Sequence, residues 1–401
     1  MRAIRILLAC TVAASAACAP ARGDDEMVVG AVYPTGGSHG TGGVEEWWGA
    51  ELAAEYANRG AERPVRLELV RTETADAAPG AIRSLRDRGA EVVIGSYGST
   101  ISRTAAATAS KLGLVYWETG AVGELSMQSA LGERVFRVPA AGGVLGRNAV
   151  TYVDEQLGLP EPLRWAVAYV DDVYGRSVGL GAIEQAEASG HEVAARLPYS
   201  PTDDMGEVAQ RVADSGANAL AVAAYLEDGV ALRQALLARQ VPLLVSIGTS
   251  SSFCMIEFGK RLGDDAIGLL ASDKPNGDAM APVDLSPDAR AALEWARTRY
   301  REKHGAGMTA PALAGFAGAW ALFSHVLPAA EDGSAGSVAA AAVRTKLPPG
   351  GLPNGSGLDL VPPGEADAGS NRAATSVIWK WVAREQRAVV WPPSYAAPGA
   401  A

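Results

Sequence analysis

The stretch that decides the fold is residues 27–56, MVVGAVYPTGGSHGTGGVEEWWGAELAAEY. It opens on a short apolar run at residues 28–32, which is typical of a buried β-strand. A glycine-rich turn follows, and then Trp48, Leu52 and Tyr56 recur every fourth residue, which is the spacing of one helix face. A strand, a turn and a helix in this order predict one unit of a parallel sheet covered by helices.

The same unit repeats along the rest of the chain. Further strands are predicted from alternating or continuous apolar residues at 65–69, 92–94, 114–117, 166–170, 219–224 and 243–247. The alternation of strands and helices starts again near Gly142, after a connecting strand at 134–138, so we predict a second α/β lobe from that residue. Past Leu270 the pattern predicts two long helices and two late strands, at 288–303, 311–327, 377–381 and 388–391.

The first residues have the anatomy of an export signal. Arg2 and Arg5 give a positive start, residues 6–17 form an uncharged apolar run, and small residues lead to Cys18. The run is shorter than the ~20 residues that span a bilayer, and no later stretch is predicted to be long and charge-free enough to do so. Either the signal is simply cleaved, or Cys18 is acylated as in a bacterial lipoprotein box. Acylation would tether the protein to a membrane without crossing it.

The composition of the exported part excludes several classes of function. Removing Arg2 and Arg5 leaves 33 of the 35 Lys and Arg residues against 45 acidic ones, so the net charge falls from −10 to −12. That charge argues against a nucleic-acid partner. If Cys10 is removed and Cys18 acylated, only Cys254 remains, and no internal disulfide is expected. No histidine has metal-ligand spacing to another histidine or to a cysteine, so neither a metal site nor a cofactor is expected.

Two glycine-rich loops follow strands, which is where open α/β sheets bind ligands. The first, around Ser38, lacks the ending of a phosphate-binding loop and the dinucleotide glycine spacing, so it predicts a small-ligand loop. The second runs from Gly95 through Tyr97 to Ser99 and Thr100, whose hydroxyls lie at a predicted helix start that favours anions. It is not the nucleophile elbow of a hydrolase, because that motif reads Gly-x-Ser-x-Gly and here the fifth residue is Ser99 instead of glycine. It either captures an anion or carboxylate or is an ordinary capped turn.

Polar side chains also stand at the ends of later strands. Glu118 ends one of them, where a carboxylate either receives a ligand cation or pairs with an arginine across the mouth of a cleft. Tyr174 and Tyr225 occupy corresponding positions in the second lobe, and each either walls a pocket or packs against its own lobe. No nucleophile, base and orienting group appear at compatible positions, so no enzyme is predicted.

Short motifs occur in a fixed order along the chain, and they are Tyr33-Pro34-Thr35-Gly36, Val93-Ile94-Gly95, Arg134-Val135-Phe136-Arg137, Asp172-x-Tyr174-Gly175 and Trp391-Pro392. With them the chain resembles the extracytoplasmic solute-binding proteins of branched-chain amino acid type that serve ATP-binding cassette (ABC) importers. The resemblance runs from about Met27 to Trp391.

The resemblance implies an α/β protein of two Rossmann-like lobes, each a parallel sheet flanked by helices. Three hinge crossings, near Gly142, Ala271 and Pro348, would join the lobes. The implied parts are a signal at 1–17, lobe 1 at 27–141 and 271–347, lobe 2 at 142–270 and 370–393, a Gly- and Pro-rich crossover at 348–369, and a loose tail at 394–401.

The resemblance also implies a ligand held between the lobes. By position, Ser99 and Gly120-Ala121 match residues that hold the carboxylate and the ammonium of the ligand. Tyr174 and Tyr225 match pocket residues of the second lobe.

The chain departs from this resemblance in the loop after the strand at 243–247. Amino-acid binders usually carry an acidic residue there, and this chain has Ser250, which cannot neutralise an ammonium. Either Glu118, Asp172 or Asp273 replaces that acid, or the ligand is an amide, a urea or an aromatic or short organic acid.

These features predict a receptor that binds a small polar solute in a cleft and delivers it to the permease of an ABC importer. The alternative is a ligand sensor of the same fold that signals to a partner. The expected location is the outer face of the cytoplasmic membrane, reached through a lipid anchor alone, or else the periplasm or the medium.

Overall fold

The computed structural model describes residues 26–61, 63–123, 134–160, 162–275, 284–374 and 376–396, and the predicted signal with Cys18 lies outside them. The strands are β1 (Met27–Tyr33), β2 (Val65–Arg71), β3 (Val92–Gly95), β4 (Val115–Glu118), β5 (Val135–Arg137), β6 (Arg164–Val170), β7 (Glu192–Tyr199), β8 (Ala219–Ala223), β9 (Val245–Thr249), β10 (Leu270–Asp273), β11 (Lys346–Leu347), β12 (Leu358–Asp359), β13 (Val377–Ala383) and β14 (Gln386–Trp391). The helices are α1 (Gly40–Ala57), α2 (Ala78–Asp87), α3 (Ser99–Lys111), α4 (Gly142–Gln156), α5 (Val173–Ala188), α6 (Met205–Asp214), α7 (Leu226–Ala238), α8 (Ile256–Leu262), α9 (Pro287–His304), α10 (Ala310–Ala321) and α11 (Ala335–Arg344).

Lobe 1 is built on a parallel sheet with the strand order β2-β1-β3-β4-β5. Its central strands are continuous apolar runs because helices cover both faces of the sheet. Helices α1, α9, α10 and α11 bury apolar side chains on one face, and α2 and α3 do so on the other. The closest helix contact is between α1 and α10, where a Cβ added to Gly49 would lie 1.9 Å from the carbonyl oxygen of Ala312.

Lobe 2 is built on a larger sheet with the strand order β14-β13-β10-β9-β8-β6-β7. The strands from β6 to β10 are parallel, whereas β13 runs antiparallel to β10 and β14 antiparallel to β13. The predicted α/β fold with two lobes is confirmed. The second sheet is mixed rather than purely parallel, since its last two strands form a hairpin at its edge.

The structure corrects the predicted lobe boundaries. Strand β10 pairs with β9 and β13, so lobe 2 continues to Asp273 instead of ending at Leu270. The stretch at 348–369 is more than a crossover, because β12 pairs with β11, and Leu352 and Leu358 are buried in the core of lobe 1. The predicted loose tail is held at its start, where the Tyr395 hydroxyl donates to the carbonyl oxygen of Gly355 at 2.6 Å.

One later stretch is long and apolar enough to cross a membrane, contrary to the prediction. It covers residues 310–329, and 78% of its most apolar window is buried inside the protein. Its first part is α10, whose side chains from Ala312 to Trp320 pack in the core of lobe 1. The burial accounts for its composition, because a core helix needs apolar residues on every side.

Candidate functional site

A cleft lies between the lobes, at the carboxyl ends of both sets of parallel strands. We call it the inner cleft. Including space that is open to solvent, it comprises about 460 Å³, and it is lined by Tyr97, Gly98, Ser99, Gly120, Ala121, Val122, Tyr174, Tyr225, Ser250, Ser251, Cys254, Met255, Asp273, Lys274, Ala310 and Pro311.

Most of the residues predicted for the site meet in the inner cleft, and they are Tyr97, Ser99, Gly120, Ala121, Tyr174, Tyr225, Ser250 and Asp273. Three predicted residues do not line it. Ser38 lines an adjoining outer groove, which continues the cleft to the surface past His39, Glu45 and Asp172. Thr100 is exposed on α3, and Glu118 is fully buried beside the cleft.

The two lobes are in contact across this cleft. Burial raises the pKa of Tyr97 in lobe 1, and an interaction with the Ser251 side chain of lobe 2 partly opposes that shift. At the mouth, the His39 ring of lobe 1 meets the Tyr225 ring of lobe 2 edge-on, with ring centroids 4.8 Å apart. The chain is therefore in a closed arrangement, in which the tyrosine rings separate the inner cleft from the outer groove.

Ser99 opens α3 and faces the cleft from lobe 1. Gly98 before it has φ = +91°, which glycine adopts without strain. No side chain caps α3, so the ordinary capped turn is not what the structure has. The Ser99 hydroxyl accepts a hydrogen bond from the Gly123 amide at 2.9 Å, which leaves its own proton to donate into the cleft. Together with the uncapped helix start, this hydroxyl suits an anion.

Glu118 supports the cleft wall from behind. Its Oε1 accepts from the backbone amides of Ser96, Gly120 and Ala121 at 3.0, 2.9 and 2.8 Å, and its Oε2 accepts from the Ser102 hydroxyl. The predictions that it receives a ligand cation or an arginine are therefore wrong. The acid is there because the turn after β4 has amides that need a buried acceptor.

A second buried carboxyl, Glu46 of α1, lies against the same turn. A Cβ added to Gly120 would lie 1.8 Å from Glu46 Oε2, so any larger residue would have to displace this buried carboxyl. Burial raises the pKa of Glu46 to about 7, although the Lys274 ammonium and the Thr119 hydroxyl lower it. Burial also raises the pKa of Glu118 to about 8, and the neighbouring Glu46 adds to the shift. Both carboxyls therefore hold protons near neutral pH to a degree that exposed glutamates do not.

The backbone of the turn at Gly120 and Ala121 is occupied within the protein. Its two amides donate to Glu118, and the Gly120 carbonyl oxygen accepts from Lys274 Nζ at 2.7 Å. The roles that the resemblance implies for these residues, holding the carboxylate and ammonium of a ligand, do not carry over to these backbone groups in the closed arrangement. The turn shapes the cleft instead.

Tyr174 and Tyr225 form the wall on the side of lobe 2, with ring centroids 5.4 Å apart. The Tyr225 hydroxyl donates to Asp172 Oδ2 at 2.6 Å, and Asp172 Oδ1 accepts from the Gly175 amide at 2.9 Å as the N-cap of α5. The Tyr174 hydroxyl lies 2.7 Å from the Thr249 hydroxyl. Asp172 therefore has both oxygens engaged and, contrary to one of the expectations, does not offer a free carboxylate to a ligand.

Two opposite charges follow each other at the end of β10. Asp273 is 1% exposed and Lys274 is 6% exposed, and both line the inner cleft. The Lys274 ammonium is a site residue that sequence reasoning missed, although a charged pair directly after an apolar strand was a readable signal. Ala310 and Pro311, which begin α10 and also line the cleft, carry no such signal.

The cleft holds no activated nucleophile among the described residues. Burial raises the pKa of the Cys254 thiol well above its usual range, and the Asp273 carboxylate adds to that shift, so the reactive thiolate is disfavoured. In the part of the chain that the structure describes, no cluster of three or more histidine, cysteine or acidic side chains is placed to hold a metal ion. The arrangement can bind and enclose a polar molecule.

Comparison with known proteins identifies the family. A family model described as periplasmic binding protein matches residues 26–360. The chain belongs to the periplasmic binding protein family. This periplasmic binding protein is 28% identical to the Leu/Ile/Val-binding protein homolog 8 of Brucella abortus (strain 2308) over 255 residues, which are 60% of this chain and 62% of that protein. It thus spans about three fifths of the length of the curated relatives it matches.

Solved structures share the fold of this periplasmic binding protein. One is the branched-chain amino acid transporter substrate-binding protein LivJ of Streptococcus pneumoniae in complex with isoleucine, with a TM-score of 0.73, 17% identity and coverage of 92% of this chain and 100% of that one. Another is an ABC transporter solute-binding protein of Rhodopseudomonas palustris in complex with benzoate, with a TM-score of 0.74, 15% identity and coverage of 93% and 97%. The resemblance predicted from the sequence is confirmed, and the family places this binding protein outside the cytoplasm.

Proposed function

We propose that this periplasmic binding protein closes its two lobes around a small polar solute and delivers that solute to the permease of an ABC importer. The observation that carries the proposal is the inner cleft, which is enclosed by both lobes and lined by hydroxyls, aromatic rings and one pair of opposite charges. Hinge closure around a ligand is the motion by which such receptors work. The same lobes could serve a sensor, and genes for a permease beside this one would favour transport.

The ligand we propose is an amino acid or a related amide or organic acid. Relatives of this fold are named or titled for Leu/Ile/Val, isoleucine and benzoate, and all of these ligands are small and carry a carboxylate. The cleft matches such ligands in kind, because it combines an uncapped helix start and a buried ammonium with aromatic walls. In this proposal Ser99 holds the anionic or carbonyl end from lobe 1, and Tyr174 and Tyr225 close over it from lobe 2.

We further propose that the lobes rotate about three passages between them. These are the segment between β5 and α4, the segment after β10, and the segment between β12 and β13. Each connects an element of one lobe to an element of the other along the chain, so a change in backbone dihedrals there would move a whole lobe. Ligand release requires this opening, because the tyrosine rings and His39 block the way from the inner cleft to the outer groove.

We propose acylation of Cys18 as the means of retention at the membrane. The positive start, the short apolar run and the small residues before Cys18 support it. Mass spectrometry of protein from the membrane fraction should find a lipid-modified amino terminus at Cys18. A freely soluble protein with an unmodified terminus elsewhere would show a plain cleaved signal instead.

A thermal-shift screen of amino acids, their amides and aromatic acids tests the binding function. A ligand at 100 times its dissociation constant should stabilise the protein by roughly 2.7 kcal/mol. Small-angle scattering with the compound that binds should then show a smaller radius of gyration at saturation, since closure brings the lobes together. If a confirmed ligand left the radius unchanged, hinged closure would be excluded.

A further inference from the structure

The carboxylate of Asp273 is buried in the inner cleft with an oxygen that nothing in the described part of the chain satisfies. It interacts with the Cys254 thiol and with the backbone amide of Lys274, yet its Oδ1 has no hydrogen-bond partner among the described residues. Burying an acceptor without a partner costs free energy, and more so when it is charged. Asp273 is 1% exposed and lies in the wall of the cleft. Its unsatisfied oxygen therefore points to a hydrogen-bond donor that belongs to the ligand.

The ammonium of Lys274 is the counterpart of this carboxylate. It donates to the Gly120 carbonyl oxygen, and an ammonium has three protons to donate. Among the described residues, no carboxylate lies within 4.0 Å of Lys274 Nζ and no cation lies within 4.0 Å of the Asp273 carboxylate. Two opposite charges on neighbouring residues are thus buried in one cleft without forming an ion pair with each other.

This arrangement fits a ligand that carries both charges. A ligand with only an anionic group would leave Asp273 unsatisfied, and one with only a cationic group would leave the Lys274 ammonium without a counter-charge. The other acids considered for the role are engaged elsewhere, since Glu118 holds three backbone amides and Asp172 holds Tyr225 and the start of α5. Ser250, in the loop where an acid was expected, carries no charge.

We infer that Asp273 receives the ammonium of a zwitterionic ligand, while Lys274 and the Ser99 hydroxyl receive its carboxylate. The inference rests on the proposed binding function and narrows its ligand to compounds with one positive and one negative group. Asp273 thereby replaces the acid that the loop at Ser250 lacks, from the end of a different strand.

The electrostatics of the inner cleft agree with this role. Burial raises the pKa of Asp273, and the Lys274 ammonium and the Lys274 amide only partly oppose the shift. The Arg387 guanidinium lowers that pKa as well. A ligand ammonium at Oδ1 would favour the ionised carboxylate and so remove the penalty for burying it.

The first test compares three sets of probes on the unmodified protein by calorimetry. The sets are the common L-amino acids, the same skeletons without the amino group, and the same skeletons as deaminated amides. We expect the tightest binding within the first set, and at least tenfold weaker binding of each matched acid and amide. A matched acid or amide that binds as tightly as its amino acid would overturn the inference while leaving the binding function intact. Failure of all three sets to bind would refute the binding function together with the inference.

The second test replaces Asp273 and uses a matched control. Asp273→Asn keeps the shape of the side chain and removes its charge. It should weaken binding of the amino acid by roughly ten- to hundredfold, which is the loss expected for a hydrogen bond between charged groups. Asp171→Asn makes the same chemical change at an exposed position paired with Arg176, and should leave affinity within twofold. Lys274→Met should weaken binding of the same amino acid by a similar factor, because it removes the ammonium that receives the carboxylate of the ligand.

A thermal unfolding scan of each variant separates folding from binding. Because Asp273 has an unsatisfied oxygen, the midpoint of Asp273→Asn without ligand should equal or exceed that of the parent. The preference of this variant should also move from the amino acid toward the matched amide or acid, which a purely structural role would not produce. If Asp273→Asn binds the amino acid within twofold of the parent, Asp273 does not contact the ammonium.

Discussion

Glu118 offers the sharpest test of how the site is built, because the structure gives it a supporting role that a single isosteric change can distinguish from ligand contact. Burial raises its pKa from an ordinary value near 4.5 to about 8. Between these two values the folded protein holds a proton that the unfolded chain has released, so folding becomes less favourable as pH rises. From pH 5 to pH 8 this loss amounts to roughly 3 to 4 kcal/mol for Glu118 alone.

Glu118→Gln should remove this dependence. The glutamine carbonyl oxygen can accept from the same backbone amides as Oε1. The Ser102 hydroxyl donates to Oε2 in the parent, and in the variant it can turn its proton toward the Tyr116 hydroxyl and accept from the glutamine NH₂ group instead. We therefore expect the variant to match the parent near pH 5 and to be more stable than the parent at pH 8. Glu118→Ala takes this acceptor from the buried amides of Ser96 and Gly120, whereas the Ala121 amide keeps the Ser96 carbonyl oxygen as a partner. This variant should be destabilised at every pH by roughly 1 to 3 kcal/mol for each amide left without a partner.

The assays are denaturant unfolding of parent and variant at pH 5 and pH 8, and calorimetry with the ligand found by screening. Equal slopes of stability against pH in parent and Glu118→Gln would refute the assignment of a raised pKa to this carboxyl. Glu118→Gln should also bind ligand within about twofold of the parent. A tenfold or larger loss of affinity with an intact fold would mean that Glu118 contacts the ligand after all.

Three further outcomes follow from other contacts. Ser99→Ala should weaken ligand binding by roughly ten- to hundredfold in calorimetry, with a small loss of stability because the Gly123 amide loses its acceptor; affinity within twofold of the parent would remove Ser99 from the site. Burial lowers the pKa of His39, so protonation of its ring opposes closure, and ligand affinity should fall as pH falls below about 6.5. In His39→Gln this fall should be smaller, and an equal dependence of affinity on pH in parent and variant would contradict the role of His39. Gly49→Ala should lower the free energy of unfolding by ~1 to 3 kcal/mol, because its Cβ would lie 1.9 Å from the Ala312 carbonyl oxygen. An unchanged denaturation midpoint would show that α1 and α10 can move apart without loss of stability.

The alternation of apolar strands and helical segments was enough to predict the fold class, because a sheet buried on both faces needs continuous apolar strands. Elements without that signal were missed. Strand β7 lies at the edge of its sheet and is only partly buried, so its residues do not alternate clearly. Helix α5 begins at Val173, directly after Asp172, whose side chain is that of an N-cap.

The candidate site was predictable where a residue directly follows a strand. That rule led to Ser99, Tyr174 and Tyr225, which line the inner cleft, because carboxyl ends of parallel strands face one edge of a sheet. Asp273 was named only as a replacement for the acid missing from the loop at Ser250. The rule failed for Glu118, which has the same position in its strand. Whether a side chain at a strand end turns toward the cleft or back to the protein depends on which buried amides need an acceptor, and the spacing of residues does not carry that information.

The division of each lobe between distant parts of the chain has a consequence for how the protein is made. The core of lobe 1 contains residues of α1 near one end of the chain and of α9, α10 and α11, together with Leu358 and Leu360, near the other. During synthesis the early strands of lobe 1 are complete long before the helices that cover one face of their sheet. Since contacts of such high sequence separation slow folding, a ribosome-bound chain that stops before residue 310 should have that face of the lobe 1 sheet exposed to protease.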